Sequence, residues 1–192
     1  MNTESVKEQK KSARKFYLRR RMELPDDHIA PSNASIFDKV IHLKEFKEAE
    51  VVHIYASMKE RNEVDTFSII DYALKKDKRV IVPIMKEAGI LQHCKIDSTD
   101  SLKKNSWGVP EPVAPKLLDK INPDIIFVPM VAGDVQKNRL GYGKGYYDRF
   151  LKSTRAVKAG LLFENQLSAK SIPTDAYDVQ LDILITEKRV LR

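Results

Sequence analysis

Five stretches of the chain are almost continuously apolar and rich in β-branched residues, and they limit its fold more than any other feature: "VVHIYA", "RVIVPIM", "DIIFVPMV", "AVKAGLLF" and "LDILIT". A strand with one wetted face alternates apolar and polar residues, whereas a strand without alternation is buried on both faces, as in parallel sheets. Segments with helical periodicity lie between these runs. "SIFDKVIHLKEF" puts Ile36, Phe37, Val40 and Leu43 on one face, and "DTFSIIDYALKK" opens with Asp65 and Thr66 as helix-cap candidates. "ILQHCKI" reads as a short apolar piece and "WGVPEPVAP" as turn-rich. The pattern predicts an α/β fold with a central, mainly parallel sheet covered on both faces. With 192 residues, 42% of them apolar, and no repeat or low-complexity linker, 1–192 is expected to form one domain.

Ligands of such sheets bind at the carboxyl ends of the strands. Two segments fall there: "SMKERNEVD", after the strand ending near Ala56, and "RLGYGKGYYDRFL", reached by "VAGDVQKNRL" from the strand ending near Met130. Gly141, Gly143 and Gly145 make the second a loop, because glycine serves where backbone needs positive φ or a ligand must approach closely. From Tyr146 onward, Tyr147, Phe150, Leu151 and Thr154 recur at helical spacing, so the loop feeds a helix N-terminus, an arrangement suited to phosphate. Neither GxxxxGK[ST] nor a strand-borne GxGxxG fits, since Tyr146 stands where the third fingerprint glycine belongs. Spacing alone equally allows an ordinary turn in which Asp148 complements the helix dipole and pairs with Lys152.

The net charge of +7 is local. Residues 1–21 carry eight basic and two acidic side chains, which leaves 26 basic and 25 acidic for the rest. A helix over about 5–23 places Lys7, Lys10, Lys11, Arg14 and Arg21 on one face, with Ala13, Tyr17 and Leu24 turned elsewhere. That face reads either as solvated or as a polyanion contact. The near-neutral remainder and the lack of an aromatic RNA motif weigh against a nucleic-acid-binding module. Cys94 is the only cysteine, so no internal disulfide forms and sulfur builds no metal site. His28, His42, His53 and His93 show no metal spacing. No apolar run approaches 18 residues and the N-terminal residues lack a signal-peptide core, so a cytoplasmic protein without membrane contact is expected.

"NRLGYGKGYYDRFL", together with "YASMKERNEVDT", "SWGVPEP", the N-terminal "KKSAR" and the closing "IPTDAYDVQLDILITE", resembles the 5-formyltetrahydrofolate cyclo-ligase (5,10-methenyltetrahydrofolate synthetase) family over nearly the whole chain. The resemblance implies a three-layer α/β/α sandwich similar to ribose-phosphate isomerases and CoA transferases. It also implies a monomeric, ATP- and Mg²⁺-dependent ligase that closes 5-formyltetrahydrofolate to 5,10-methenyltetrahydrofolate, with ADP and phosphate as by-products.

By the same resemblance, Lys10, Lys11 and Arg14 reach the nucleotide, and Arg139 and Lys144 hold the transferring phosphoryl group. Gly141, Gly143 and Gly145 donate backbone N–H groups. Phosphoryl transfer needs mainly positioning and charge stabilisation, so cations and amides suffice. Asp148 and Asp178 occupy the family's metal positions, with Asp182 as a competing, more structural candidate. Glu63 matches the carboxylate that receives the pterin, and Ala56 lines that pocket. Tyr142, Tyr146, Tyr147 and Trp107 are candidates for stacking on flat rings, although Trp107 fits core packing equally well. Gly133, just before Asp134, and Lys137 depart from the family's usual residues, which implies an altered wall on the folate side. A sugar-phosphate isomerase or CoA transferase of similar architecture is the rival enzyme class, and it needs no ATP.

Overall fold

The computed structural model describes residues 5–192, so the first four residues of the expected 1–192 domain lie outside it. Helix α1 (Val6–Met22) starts at a reciprocal cap in which Ser5 Oγ accepts from Glu8 N and Glu8 Oε2 accepts from Ser5 N, and Arg19, Arg20 and Arg21 complement the dipole in its last turn. The helix expected over about 5–23 is therefore present. Its inward face differs from expectation: Lys10, Tyr17 and Arg21 are buried together, while Lys7 and Lys11 stay exposed. Tyr17 shares that face because offsets of 7 and 11 bring residues 17 and 21 round to residue 10.

Helix α2 (Asp26–His42) starts well before the expected segment, carrying Pro31 in its interior, and stops where Leu43 turns extended. The chain then re-enters a short helix, α3 (Lys44–Glu48). The single expected helix is thus two, because Leu43 takes ψ 128° and breaks the hydrogen-bond ladder. Strand β1 (Val51–Ile54) leads to a 3₁₀ turn (Lys59–Arg61) and then to α4 (Phe67–Lys75). Asp65 supplies the cap expected of it, accepting from Phe67 N at 3.0 Å. Thr66 stands at the cap position but makes no capping bond: its hydroxyl donates to Tyr55 O at 2.7 Å and accepts from Ser57 N at 3.0 Å. It fixes the segment that leaves β1 instead.

The remaining elements are β2 (Arg79–Met85), β3 (Leu91–Ile96), β4 (Leu102–Lys104), β5 (Pro110–Pro112), β6 (Lys116–Leu118), β7 (Ile125–Val128), β8 (Ala132–Asp134), β9 (Arg139–Leu140), α5 (Tyr146–Leu151), β10 (Val157–Leu161), β11 (Leu167–Ser168), β12 (Ile183–Ile185) and β13 (Val190–Leu191). Eight strands form the main sheet in the order β13-β12-β10-β7-β1-β2-β3-β6. The five from β12 to β2 are parallel, β13 and β3 run against them at the two sides, and edge strand β6, antiparallel to β3, runs with the centre again, so the sheet is mixed around a parallel centre. "ILQHCKI" is not a minor piece; as β3 it pairs with β2 over six residues.

Alternate residues of each central strand enter opposite cores. Val52, Ile54, Ile125 and Phe127 pack with α2, α3 and α4, whereas Ile126, Val128 and Leu184 pack with Tyr147 and Leu151 of α5. Both faces are therefore apolar and covered, which explains the missing alternation in sequence. Cys94 is a free, buried thiol whose pKa is pushed up by burial. The chain leaves β1 toward β2 on one side and returns through β7 on the other. The carboxyl ends of β1 and β7 thus flank the topological switch point, where an open α/β sheet leaves a crevice.

Candidate active site

A cavity of about 720 Å³ opens at that crevice. Residues following β1 (Tyr55, Ala56, Met58, Arg61, Glu63) line one side, and Pro129 with the whole run Arg139–Asp148 lines the other. Arg14, Trp107 and Asp178 complete the wall from three further segments.

"VAGDVQKNRL" proves to be a hairpin, not a loop. β8 and β9 pair antiparallel, and Asp134 organises the turn by accepting from Gln136 N, Asn138 N and the Asn138 side chain. Lys137 takes φ 67° at that turn. Neither Gly133 nor Lys137, the two positions that depart from the usual family residues, lines the cavity. A side chain at Gly133 would instead strike Met130 and Leu184 in the core.

The hairpin delivers the glycine loop to the cavity. Gly143 and Gly145 have φ of 90° and 69°, which side-chain-bearing residues adopt only under strain. Arg14 Nε donates to Gly141 O at 2.8 Å, tying α1 to the loop, and Arg149 spans Lys144 O and Gly89 O from below. Helix α5 ends at Leu151, short of Thr154. Asp148 does not pair with Lys152. Its Oδ1 meets Arg139 at 2.6 Å, and that arginine's side chain is only 5% exposed.

A second ion cluster sits beside the first. Lys10 Nζ lies 2.6 Å from Asp175 and 2.5 Å from Asp178. Burial pulls the Lys10 pKa down, but the two carboxylates outweigh it and hold the ammonium above its usual value; the Lys10 bond likewise holds Asp175 below its own. Asp182 stands apart, accepting from Lys158 N at 2.8 Å at a strand end.

Glu63 is buried, 7% exposed. Its Oε2 accepts from Met58 N at 2.8 Å, and its Oε1 accepts from the Tyr142 hydroxyl. Tyr142 in turn accepts from Arg21 at 2.9 Å. Burial first, and the neighbouring Glu63 next, push the Tyr142 pKa far up; burial does the same to Tyr55 and Tyr147. Trp107 is not core packing. It is 58% exposed on the β4–β5 hairpin, where Asn105 Oδ1 accepts from Trp107 N and Val109 N, and it overhangs the cavity.

Of the site residues expected from sequence, the cavity wall gathers Arg14, Ala56, Glu63, Trp107, Arg139, Gly141, Tyr142, Gly143, Lys144, Gly145, Tyr146, Tyr147, Asp148 and Asp178. Lys10 stands one bond behind, through Asp178. Lys11 is exposed and outside the wall, because it lies one residue round the helix from the buried stripe. Sequence reasoning missed Arg61, Met58, Tyr55 and Asp175. Arg61 and Met58 lay inside the flagged "SMKERNEVD" segment, and Asp175 inside the closing "IPTDAYDVQLDILITE", three residues before Asp178.

These elements define an α/β protein with a candidate ligand site at its switch point, basic at one end and carrying a buried carboxylate at the other. The model of the 5-formyltetrahydrofolate cyclo-ligase family matches residues 6–187, and the chain belongs to that family and is an enzyme. Its relatives include a Schizosaccharomyces pombe protein named "Probable 5-formyltetrahydrofolate cyclo-ligase", 36% identical over 86% of this chain and 89% of that one. The 5-formyltetrahydrofolate cyclo-ligase of Haemophilus influenzae is 28% identical over 96% and 100%. The solved 5,10-methenyltetrahydrofolate synthetase of Aquifex aeolicus superposes with a TM-score of 0.83 at 33% identity, covering 95% of this chain and 92% of that one.

Proposed function

We propose that this chain catalyses the ATP-dependent closure of 5-formyltetrahydrofolate to 5,10-methenyltetrahydrofolate, with release of ADP and phosphate. The observation that carries this reading is one cavity with two chemically different ends: bare glycine backbone with Lys144, Arg14 and Arg139 at one, buried Glu63 at the other. A formyl group on nitrogen is a sluggish electrophile. Transfer of the γ-phosphoryl group to the formyl oxygen turns that oxygen into a leaving group; N10 then attacks the carbon, the C–O bond breaks, phosphate departs and N10 loses its proton. Lys144, Arg139 and the loop amides stabilise charge on the moving phosphoryl group, and Lys10 and Arg14 hold the nucleotide. Glu63 accepts hydrogen bonds from the pterin, while Trp107, Tyr146 and Tyr147 wall its flat rings.

Asp148 and Asp178 line the same cavity, and one or two carboxylates are what Mg²⁺ takes from protein, so the donor set fits that ion. Held there, Mg²⁺ would neutralise phosphate charge. Among the described residues no three His, Cys, Asp or Glu side chains converge as a closed metal cage, in keeping with an ion that completes its shell with water and phosphate. We further infer a single working unit over 1–192, kinship of the sheet with ribose-phosphate isomerases and CoA transferases, and a cytoplasmic setting. Supporting these are the parallel centre of the mixed sheet, the buried free thiol and the absence, among the described residues, of a helix able to cross a membrane.

The test is to mix protein, ATP, Mg²⁺ and 5-formyltetrahydrofolate and follow the conjugated methenyl chromophore. Its appearance only with ATP is the expected result. Turnover of a sugar phosphate or acyl-CoA in nucleotide-free buffer, with no chromophore, would move the protein to the rival enzyme class.

A further inference from the structure

Arg21 is among the largest fully buried side chains, 2% exposed, and a guanidinium in such a place needs partners. Its NH2 donates to the Tyr142 hydroxyl at 2.9 Å and its NH1 reaches Met130 O at 3.5 Å, while its Nε has no partner. The guanidinium carbon also lies 5.8 Å from the centroid of the Tyr142 ring, as does that of Arg61. Nothing in the chemistry derived above uses Arg21.

A tyrosine hydroxyl rotates and can donate in several directions. Beside Arg21 that freedom is lost. Arginine has no acceptor, so the hydroxyl must accept from it, and its own proton then goes to Glu63 Oε1. Met58 N occupies one site on Glu63 Oε2. An ionised carboxylate offers about four lone-pair sites, so each oxygen keeps about one for a ligand. That leaves a pair of adjacent acceptors, the complement of a planar edge bearing two neighbouring N–H donors, such as the ring N–H and amino group of an aminopyrimidinone.

We propose that Arg21 is a positioning residue for the pterin-binding carboxylate, acting through the Tyr142 hydroxyl to fix which acceptor sites of Glu63 face the ligand. The proposal rests on the reading of Glu63 as the pterin's partner. A purely structural Arg21 would only anchor the end of α1 to Met130 O.

The experiment measures binding without turnover. Calorimetric titrations with 5-formyltetrahydrofolate alone and with a non-hydrolysable ATP analogue alone are run on Tyr142→Phe, Arg21→Met, Arg21→Lys, the Tyr142→Phe/Arg21→Met pair and Glu63→Gln, with thermal unfolding of each. Tyr142→Phe and Arg21→Met should each weaken folate binding about tenfold, the scale of one hydrogen bond to a charged group, with the nucleotide constant nearly unchanged. The double variant should be no worse than either single one, because both cut the same chain. Arg21→Lys should recover part of the loss. Glu63→Gln weakening folate while Tyr142→Phe leaves it intact would overturn the positioning role alone; Glu63→Gln leaving folate intact would overturn both it and the reading beneath it. Equal loss of both ligands in step with lowered melting temperature would make Arg21 an anchor only. If Arg21→Met does not fold, Tyr142→Phe, which removes a single oxygen, decides the matter.

Discussion

The two ends of the cavity are built on opposite plans. At the glycine-loop end, opposite charges neutralise one another: Arg139 with Asp148 within the same run, and Lys10 with Asp175 and Asp178 from across the chain. At the Glu63 end, the carboxylate is held by a hydrogen-bond chain that runs Arg21, Tyr142, Glu63 and takes one further backbone N–H. A charge in an ion pair can pass to an incoming opposite charge without being left unpaired, whereas cutting any link of a buried, directional hydrogen-bond chain strands a polar group. The first plan suits a ligand that brings its own charge and metal. The second suits a neutral, flat ligand recognised by the direction of its N–H groups.

The comparison breaks most visibly at Asp148. Asp148→Asn strands the buried Arg139 guanidinium, and removing one partner of such a pair costs about 3–5 kcal/mol. It should also abolish most Mg²⁺-dependent turnover, with partial recovery at higher Mg²⁺. Both a metal ligand and a mere counter-ion lower the melting temperature here, so kcat against Mg²⁺ is the discriminating measurement. Undiminished kcat at ordinary Mg²⁺ would reduce Asp148 to the counter-ion of Arg139.

Lys144 tests the same end with the fold left alone. It is exposed on the loop, so Lys144→Ala should leave thermal unfolding within error while kcat falls by roughly 10² to 10³, the range for one preorganised electrostatic donor. Normal kcat would leave the glycine loop as an ordinary turn. Changing Lys10 and Arg14 together to Ala should raise the ATP KM by about tenfold or more, at 1.5–3 kcal/mol per charged hydrogen bond, and leave the folate KM nearly level. A matching rise in both would erase the division between the ends.

Much of this was legible in sequence because it is local. β-Branched runs announce central strands, and "GYGKGYYD" carries its glycines, lysine and aspartate within eight residues. What stayed hidden depends on pairing across the chain. β8–β9 is a hairpin of three and two residues, too short for a period to show. Arg21 read as part of a solvated or polyanion-binding face because charge rarely goes inside, and the partner that buries it is 121 residues away. The hydroxyl that bonds Glu63 likewise comes 79 residues later.

A separate effect, read in stability against pH, lies beneath the loop. His53 Nε2 and His93 Nδ1 are 3.2 Å apart, both rings contact Phe150 of α5, and the His53 ring lies 6.5 Å from that of Tyr147. Burial first, and His93 next, hold the His53 pKa down at about 3, so the folded state keeps it neutral. The unfolded chain takes that proton near pH 6.5. Stability is therefore complete above about pH 6.5 and falls as pH drops toward 3, by at most about 1.4 kcal/mol per pH unit. Chemical denaturation at stepped pH should show this slope in the parent and a shallower one in His53→Gln. An unchanged slope would assign the acid sensitivity elsewhere.

Helix α1 has a timetable as well as a place. It is synthesised before its anchors, which are Gly141, Tyr142, Asp175 and Asp178, the last of them 168 residues after Lys10. Helix formation is local and fast, but closure over such a span waits for synthesis of the distant partners. α1 is therefore made before its partners and docks after them. A nascent chain holds a waiting helix until Asp178 has been made, and only then can α1 join the parts of the cavity wall.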